Sequence, residues 1–255
     1  MKICLAGTCA ITKENQDKVK ESKFILESFY SIKEWQIPII KKCNLFLLDS
    51  GAFSFMGNAR KGVKVNDEYF NDYLEKYINF INKYDIKYFF ELDIDVVIGY
   101  EKTLKLRKRL EEGTGKKCIP VFHKNRGIKE WEKMCREYDY VAIGTSGKND
   151  SKWTRKHPEV IAKMLQIAKD NNCKVHGLGF TSLKGIKKLH FYSVDSTSWK
   201  SGNMFGSLYV FKNNTLEKIK KPINKRLKSG DYYSKVEYWN FKEWVKFQKY
   251  AEKYY

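Results

Sequence analysis

The segment that decides the fold is residues 44–53, Asn-Leu-Phe-Leu-Leu-Asp-Ser-Gly-Ala-Phe. An apolar run of strand length leads directly into an acid, small residues and an aromatic ring. A buried parallel strand ends in this way when its carboxyl end opens onto an active site. Gly51 lets another group approach the backbone closely, and Asp49 stands where a catalytic carboxylate would. The alternative is that Asp49, Ser50 and Gly51 only form a turn.

Strand and helix patterns alternate along the rest of the chain. The predicted strands are 2–7, 44–49, 88–97, 118–122, 140–143, 174–178, 191–194 and 208–211. Helices are expected within 24–43, over 100–112 and after Pro158, between these strands. We therefore predict an α/β fold, a (β/α)8 TIM barrel over residues 1–212. A doubly wound sheet is the alternative, but no Gly-x-Gly-x-x-Gly opens a helix.

The C-terminal segment 213–255 differs in composition from the predicted barrel. It is rich in basic and aromatic residues, and we expect it to form a short extension packed on the barrel. Its basic cluster comprises Lys218, Lys220, Lys221, Lys225 and Arg226. The formal net charge of the 255-residue chain is +19. Such a surface attracts polyanions, and nucleic acid is the expected partner, with the cluster contacting its backbone. A merely solvated basic surface is the alternative.

The cysteine and hydropathy patterns predict a cytoplasmic protein without a membrane span. The six cysteines are scattered and form no Cys-x-x-Cys pair, which is typical of free thiols in a reducing compartment. The apolar N-terminal region ends at the charged Lys13 and is too short for a signal peptide. No stretch approaches the ~20 apolar residues that a membrane span needs. We expect no metal site and no cofactor.

Acids, histidines and glycines follow the predicted strands. The set consists of Asp49, Asp93, Asp95, His123, Gly144, His176, Gly177, Gly179 and Asp195. Barrel enzymes carry their catalytic groups at these strand ends. Two facing carboxylates can break a glycosidic bond, one as nucleophile and one moving protons. Phe53 could stack on a purine whose N–H groups Asp93 and Asp95 accept. Helix capping by Asp49 and Asp195, and carboxylate–lysine pairs at the rim, remain alternatives.

The motif at 49–53 resembles the Asp-Ser-Gly-Gly-Phe motif of tRNA-guanine transglycosylases, with Ala52 in place of the second glycine. Residues 91–95 resemble the base-recognition strand of that family. Asp95 stands where many members carry Cys. The Val-Asp-Ser around Asp195 resembles the strand that holds the nucleophilic Asp.

Three weaker matches follow the same chain order, so that the resemblance covers roughly residues 44–200. Residues 120–123 lie where the family has a strand ending in a base-contacting Gln, with His123 as a loose match. Gly144 corresponds to a glycine of the fifth strand, and residues 177–179 to a later Gly-x-Gly strand. The zinc site of the tRNA enzymes has no counterpart, because no cysteine follows Cys173. Together with the short chain, this favours the phage-encoded relatives that act on DNA.

The resemblance implies exchange of guanine for a 7-deazaguanine base, such as preQ0, preQ1 or a derivative, in DNA. Asp195 would be the nucleophile and Asp49 the general acid and base. The implied substrate-binding residues are Ser50, Gly51, Phe53, Asp93, Asp95, His123, Gly144, His176, Gly177 and Gly179. A phage origin would place the protein in the host cytoplasm, and a homodimer is compatible with the resemblance. tRNA as the polymer, a nucleosidase or glycosidase, and a non-catalytic nucleic-acid-binding barrel remain alternatives.

Overall fold

The computed structural model describes residues 1–51, 67–144, 153–154, 156–180, 185, 187–220 and 231–255. Its main sheet has seven strands: β1 (Lys2–Ala6), β2 (Phe24–Ser28), β3 (Leu45–Asp49), β4 (Val121–Phe122), β5 (Tyr140–Ile143), β6 (Lys174–Gly177) and β7 (Ser193–Ser196). The strand order is β3-β2-β1-β7-β6-β5-β4, and every neighbouring pair is parallel. The sheet is curled into a half-barrel flanked by helices, so the α/β class is confirmed.

The helices of the described residues follow the strands in alternation. They are α1 (Ile37–Ile40), α2 (Asp67–Tyr84), α3 (Asp95–Ile98), α4 (Tyr100–Thr114), α5 (Gly127–Glu137), α6 (Pro158–Asp170), α7 (Ser198–Phe205) and α8 (Asp231–Tyr254). Short 3-10 helices cover Thr8–Ala10, Lys13–Glu21, Glu34–Gln36 and Lys124–Arg126. None of these described helices has the length and apolarity that a membrane crossing requires.

An extended segment, 88–91, lies beside the open edge of β3. The Phe90 amide donates to the Leu48 carbonyl at 2.9 Å, and the Ile119 amide donates to the Phe89 carbonyl at 2.8 Å. Both bridges are parallel. The segment thus connects β3 to the residues that lead into β4, although it is too short to count as a strand.

Alternate residues of β1 enter different hydrophobic clusters, as the two-residue repeat of a strand requires. Ile3 and Leu5 join a cluster that includes Trp199 of α7 and Phe247 of α8. Cys4 belongs to a second cluster on the other face of the sheet. Its buried members are Cys4, Ala6, Phe24, Leu26, Leu45, Leu47, Phe90, Ile119, Val121, Tyr140 and Ala142. This second cluster fills the concave side of the half-barrel.

The sequence prediction of a helix within 24–43 is wrong for its first part. Residues 24–28 form β2, which lies between β1 and β3. Phe24, Ile25 and Leu26 are all buried. Because both faces of this strand are covered, its apolar residues run continuously and show no alternation. Pro38 lies in the first turn of α1.

The predicted eighth strand, 208–211, is present, but its assignment to the barrel is wrong. Strand β8 (Ser207–Lys212) pairs antiparallel with β9 (Thr215–Lys220) in a separate two-stranded sheet. Asn213 and Asn214 between them have positive φ angles of 51° and 61°. Two such residues form the tight hairpin turn that asparagine favours, which rules out a crossover helix at this point. The third predicted strand, 88–97, is shortened because α3 begins at Asp95.

Helix α8 is fastened to the main sheet by the fully buried Gln248. Its Nε2 donates to the carbonyls of Ile3 and Phe24 at 2.7 and 2.9 Å. Its Oε1 accepts from the Lys23 amide at 2.9 Å. The end of α8 thereby holds β1 and β2 side by side.

Candidate active site at the carboxyl ends of the strands

Asp49 closes β3, and the backbone after it is shaped around its side chain. The Gly51 amide donates to Asp49 Oδ2 at 3.1 Å. Gly51 has φ +81°, and a Cβ there would lie 2.8 Å from Ser28 Oγ, so only glycine fits. Burial raises the pKa of Asp49 to about 6, and the negative charges of Asp195 and Asp93 add to this shift against the opposing Gly51 hydrogen bond. The charges of Asp195 on β7 and of Asp93 after segment 88–91 therefore act on the carboxyl group that ends β3.

Asp195, on β7, is held through one of its oxygens. Oδ1 accepts from the Gly179 amide at 2.6 Å and lies 3.3 Å from His176 Nε2. Gly179 adopts φ +63° at the turn after β6, which aims its N–H at the carboxylate. Asp195 is only 8% exposed, and its neighbour His176 is fully buried.

Asp93 pairs with His123, which follows β4. Asp93 Oδ1 and His123 Nε2 are 2.6 Å apart. Burial opposes protonation of His123, but the hydrogen bond and charge of Asp93 outweigh it, so the pKa of His123 is raised. Gly144 at the end of β5 makes room for this ring, because a Cβ there would lie 2.5 Å from His123 Cε1. The structure thus brings Asp93, His123 and Gly144 together.

Asp95 pairs with Arg126, a residue that the sequence did not single out. Arg126 Nη2 lies 2.8 Å from Asp95 Oδ2, and the guanidinium stacks 4.2 Å above the Tyr100 ring. The Asp95 side chain is 5% exposed. Its Oδ1 is buried without a hydrogen-bond partner in the described part of the chain. This oxygen faces His123 Nε2 at 3.9 Å and is closed to solvent, so a ligand could use it only after the site opened.

A second buried ion pair supports the base of this cluster. Arg107 of α4 binds Glu91 through two nitrogens, at 2.7 and 3.1 Å. Glu91 Oε1 also accepts from the Val121 amide at 2.6 Å. Because Glu91 is fully buried, these bonds fix segment 88–91 against β4 and set the position of Asp93. Arg107 lay in a lysine- and arginine-rich helix, and nothing in that pattern marked it as buried.

Asp93, Asp95 and His123 also offer three ligand atoms within 4.8 Å of one another. Two carboxylates and an imidazole are donors that a divalent cation accepts. Each carboxylate already has a partner within the chain, His123 for Asp93 and Arg126 for Asp95. The absence of a metal site therefore stays a prediction.

Two other predicted base contacts, Ser50 and Gly177, are both buried. Ser50 is fully buried, its Oγ has no partner among the described residues, and its carbonyl accepts from Tyr73 Oη at 2.7 Å. Gly177 is buried, and a Cβ there would approach Phe180 Cβ to 3.0 Å, so this glycine serves packing. Phe53 lies outside the described residues.

The predicted nucleic-acid cluster is described only in part. Lys218 is exposed on β9, with its ammonium 5.8 Å from the centre of the Tyr209 ring. Lys220 ends β9 and contributes only its backbone to the described structure. Lys221, Lys225 and Arg226 lie outside the described residues.

No protein-family model matches this chain, and no curated protein matches it in sequence. The resemblance noted above therefore depends on the strand-end motifs alone. Function has to be argued from the chemistry of Asp49, Asp93 and Asp195.

Proposed function

We propose that this protein is a base-exchange transglycosylase that acts on a guanine nucleotide in nucleic acid. The observation that carries the proposal is that Asp49 and Asp195 lie near the carboxyl ends of parallel strands β3 and β7, with the charges of Asp195 and Asp93 acting on Asp49. Burial together with the other two charges raises the pKa of Asp49 to about 6. A carboxyl group with such a pKa can both donate and accept a proton near neutral pH.

The chemistry would be a double displacement. An oxygen of Asp195 attacks C1′, the glycosidic bond breaks, and Asp49 delivers a proton to the departing guanine. Asp49 is then a carboxylate, and it takes a proton from the incoming 7-deazaguanine base. The nitrogen of that base attacks C1′ and releases Asp195. Over one cycle a guanine leaves and a 7-deazaguanine enters, Asp195 is again free, and Asp49 is again protonated.

Recognition of the base would use the acceptors beside Asp49. The carboxylate of Asp93 and, once its buried Oδ1 is uncovered, that of Asp95 can accept from the N1–H and 2-amino groups of a guanine-like edge. Arg126 holds Asp95 in place from the opposite side. The target nucleotide must leave its stack to reach this site, which costs a few kcal/mol unless the strand is already open.

We further propose that the half-barrel is closed into a (β/α)8 barrel. Segments 88–91 and 118–122 would complete the ring between β3 and β5. The bridges Leu48–Phe89 and Phe90–Ile119 support this closure. The eighth position would then belong to β2, which the sequence did not predict as a strand.

DNA is the proposed polymer, with tRNA as the alternative, because the zinc-bearing region of the tRNA enzymes has no counterpart. The net charge of +19 supports a polyanionic substrate. A cytoplasmic location and a homodimer belong to the same proposal.

A covalent intermediate provides the test. Wild-type protein mixed with guanine-containing DNA and no incoming base should form a complex that survives denaturation, and peptide mapping should place the link at Asp195. Asp195→Asn should form none, whereas Asp139→Asn, at an exposed acid before β5, should behave as wild type. An adduct of undiminished yield in Asp195→Asn would overturn the assignment of the nucleophile.

A further inference from the structure

Four buried side chains form a continuous line of hydrogen bonds behind Asp195. Tyr140 Oη lies 2.5 Å from Ser193 Oγ, and Ser193 Oγ lies 2.5 Å from His176 Nδ1. His176 Nε2 lies 3.3 Å from Asp195 Oδ1. Ser193 and His176 are fully buried, and Tyr140 and Asp195 are 6% and 8% exposed. The four residues come from β5, β6 and β7, so the line crosses three strands.

The direction of these hydrogen bonds follows from what each group can do. A carboxylate nucleophile can only accept a hydrogen bond, so with Asp195 in that form Nε2 of His176 carries the proton that faces it. In a neutral imidazole the other nitrogen, Nδ1, is then an acceptor, and Ser193 must donate its hydroxyl hydrogen to it. The Ser193 oxygen in turn accepts from Tyr140. Burial keeps the pKa of Tyr140 well above its usual value, which suits a permanent donor.

His176 has no capacity left for a substrate. Both ring nitrogens are engaged within the protein, and the ring packs 5.3 Å from that of Phe90. A base contact through a ring nitrogen would require one of these hydrogen bonds to break, and the contact of His176 with the base stays a prediction.

We propose that His176 is a positioning residue, held by Ser193 and Tyr140 as the neutral Nε2–H tautomer, that fixes Oδ1 of Asp195. The Gly179 amide binds the same oxygen at 2.6 Å. With Oδ1 held by two donors, Oδ2 is the oxygen presented to C1′. The role in attack rests on the proposed function, whereas the tautomer and its cause do not.

The tautomer can be tested without any activity. Nitrogen-15 NMR of the imidazoles in the full chain, with the His176 signals assigned by their loss in His176→Gln, should show a protonated Nε2 and an unprotonated Nδ1 at neutral pH. Ser193→Ala removes the donor to Nδ1 and should shift the population toward the other tautomer. An imidazolium, an Nδ1–H tautomer, or an unchanged pattern in Ser193→Ala would overturn the proposal.

Two amide substitutions test the positioning role. In His176→Gln the side-chain nitrogen can replace Nε2 and still donate to Asp195, whereas in His176→Asn the shorter amide reaches only Ser193. We expect His176→Gln to form the covalent adduct within a few-fold of the wild-type rate. His176→Asn should lose about 10–100-fold, the value of a hydrogen bond to a charged group, with DNA affinity unchanged.

Equal adduct rates for the two variants would contradict a role that depends on Nε2. Ser193→Ala keeps the imidazole and should also slow adduct formation relative to wild type. This variant therefore tests the positioning role even if His176→Asn does not fold. If no variant and no wild-type protein forms an adduct while NMR shows the expected tautomer, the proposed function fails and the assignment of His176 stands.

Discussion

The raised pKa of Asp49, which the proposed proton transfer requires, lowers the stability of the folded protein at neutral pH. Its pKa is raised to about 6 in the folded protein, so the folded state binds the proton more tightly than the unfolded chain does. The contribution of Asp49 to stability therefore falls as the pH rises from about 4 to about 6, and this deficit remains in full above that range.

The first prediction follows from this linkage. Asp49→Asn should raise the free energy of unfolding at pH 7 by on the order of 1–3 kcal/mol, because a neutral amide escapes the cost of the buried charge. Urea denaturation at pH 7 and pH 3.5 measures this difference in the free energy of unfolding. The difference should largely disappear at pH 3.5, where Asp49 is mostly protonated in both the folded and the unfolded state. The control Asp72→Asn, at an exposed acid on α2, should change stability by less than about 0.5 kcal/mol. A loss of stability in Asp49→Asn would contradict the raised pKa.

The second prediction concerns the pH dependence of the two half-reactions. Expulsion of guanine needs Asp49 protonated, so the single-turnover rate of adduct formation should fall about tenfold per pH unit above pH 6. Transfer to the incoming base needs the carboxylate and should instead fall below pH 6. Rapid-quench measurements of each step give the pH dependence of adduct formation and of transfer to the incoming base separately. Identical pH profiles for both steps would exclude Asp49 as the shared acid and base.

Among the structural elements, α8 has a role that its composition hides. Its aromatic and lysine-rich sequence predicted an extension packed on the barrel, and Gln248 makes this contact through the carbonyls of Ile3 and Phe24 and the amide of Lys23. The same helix contributes Phe241 and Phe247 to the largest hydrophobic cluster. Strands β1 and β2, which lie inside the sheet, therefore depend on the C-terminal helix.

The third prediction tests this dependence. Gln248→Ala should lower the free energy of unfolding by about 3–5 kcal/mol, because it leaves buried backbone donors and acceptors unpaired. Lys249→Ala, at the next and exposed position of the same helix, should change it by less than about 0.5 kcal/mol. Denaturant unfolding of both variants gives the comparison, and similar values for the two would contradict the anchoring role.

The sequence predicted the elements whose signals are local. Asp49 and Asp195 each follow an apolar run, and the structure places both at the strand ends where the run predicted them. β2 was missed because a strand buried on both faces shows no alternation. The hairpin was missed because the turn signal of Asn213 and Asn214, directly after the predicted strand 208–211, was not recognised.

Long-range pairing is the part that the sequence could not supply. Arg126 pairs with Asp95, from which it is separated by 31 positions in the sequence, and Arg107 pairs with Glu91 across 16 positions. Neither arginine is distinguishable by its neighbours from the exposed lysines around it. Burial of such a cation becomes evident only when strands and helices are placed in space.

At the scale of the whole molecule, the charge of +19 is the feature that calls for a partner. Counterion release makes such binding fall steeply with salt, with a slope set by the number of phosphates contacted. The cluster at the end of β9 and the basic helix α4 are the two candidate faces.

The fourth prediction decides between these faces. Changing Lys220, Lys221, Lys225 and Arg226 together to Gln should weaken DNA binding and flatten the log–log salt slope by about 3–4. The matched control changes Lys102, Lys105, Lys108 and Arg109 of α4 to Gln and should leave the slope within about 1 of the wild-type value. Fluorescence anisotropy between low and physiological salt measures both. The reverse pattern would move the binding face to α4.

Base exchange itself is the most direct test of the central proposal. Purified protein is incubated with preQ0 or preQ1 and either single-stranded DNA, duplex DNA or tRNA, and the digested nucleosides are quantified by mass spectrometry. We predict 7-deazaguanine nucleoside in DNA, an equal amount of released guanine, less product in tRNA, and no product with Asp195→Asn. Release of guanine without incorporation of the added base would identify a nucleosidase, and an unchanged nucleoside composition in all three polymers would contradict the proposed function.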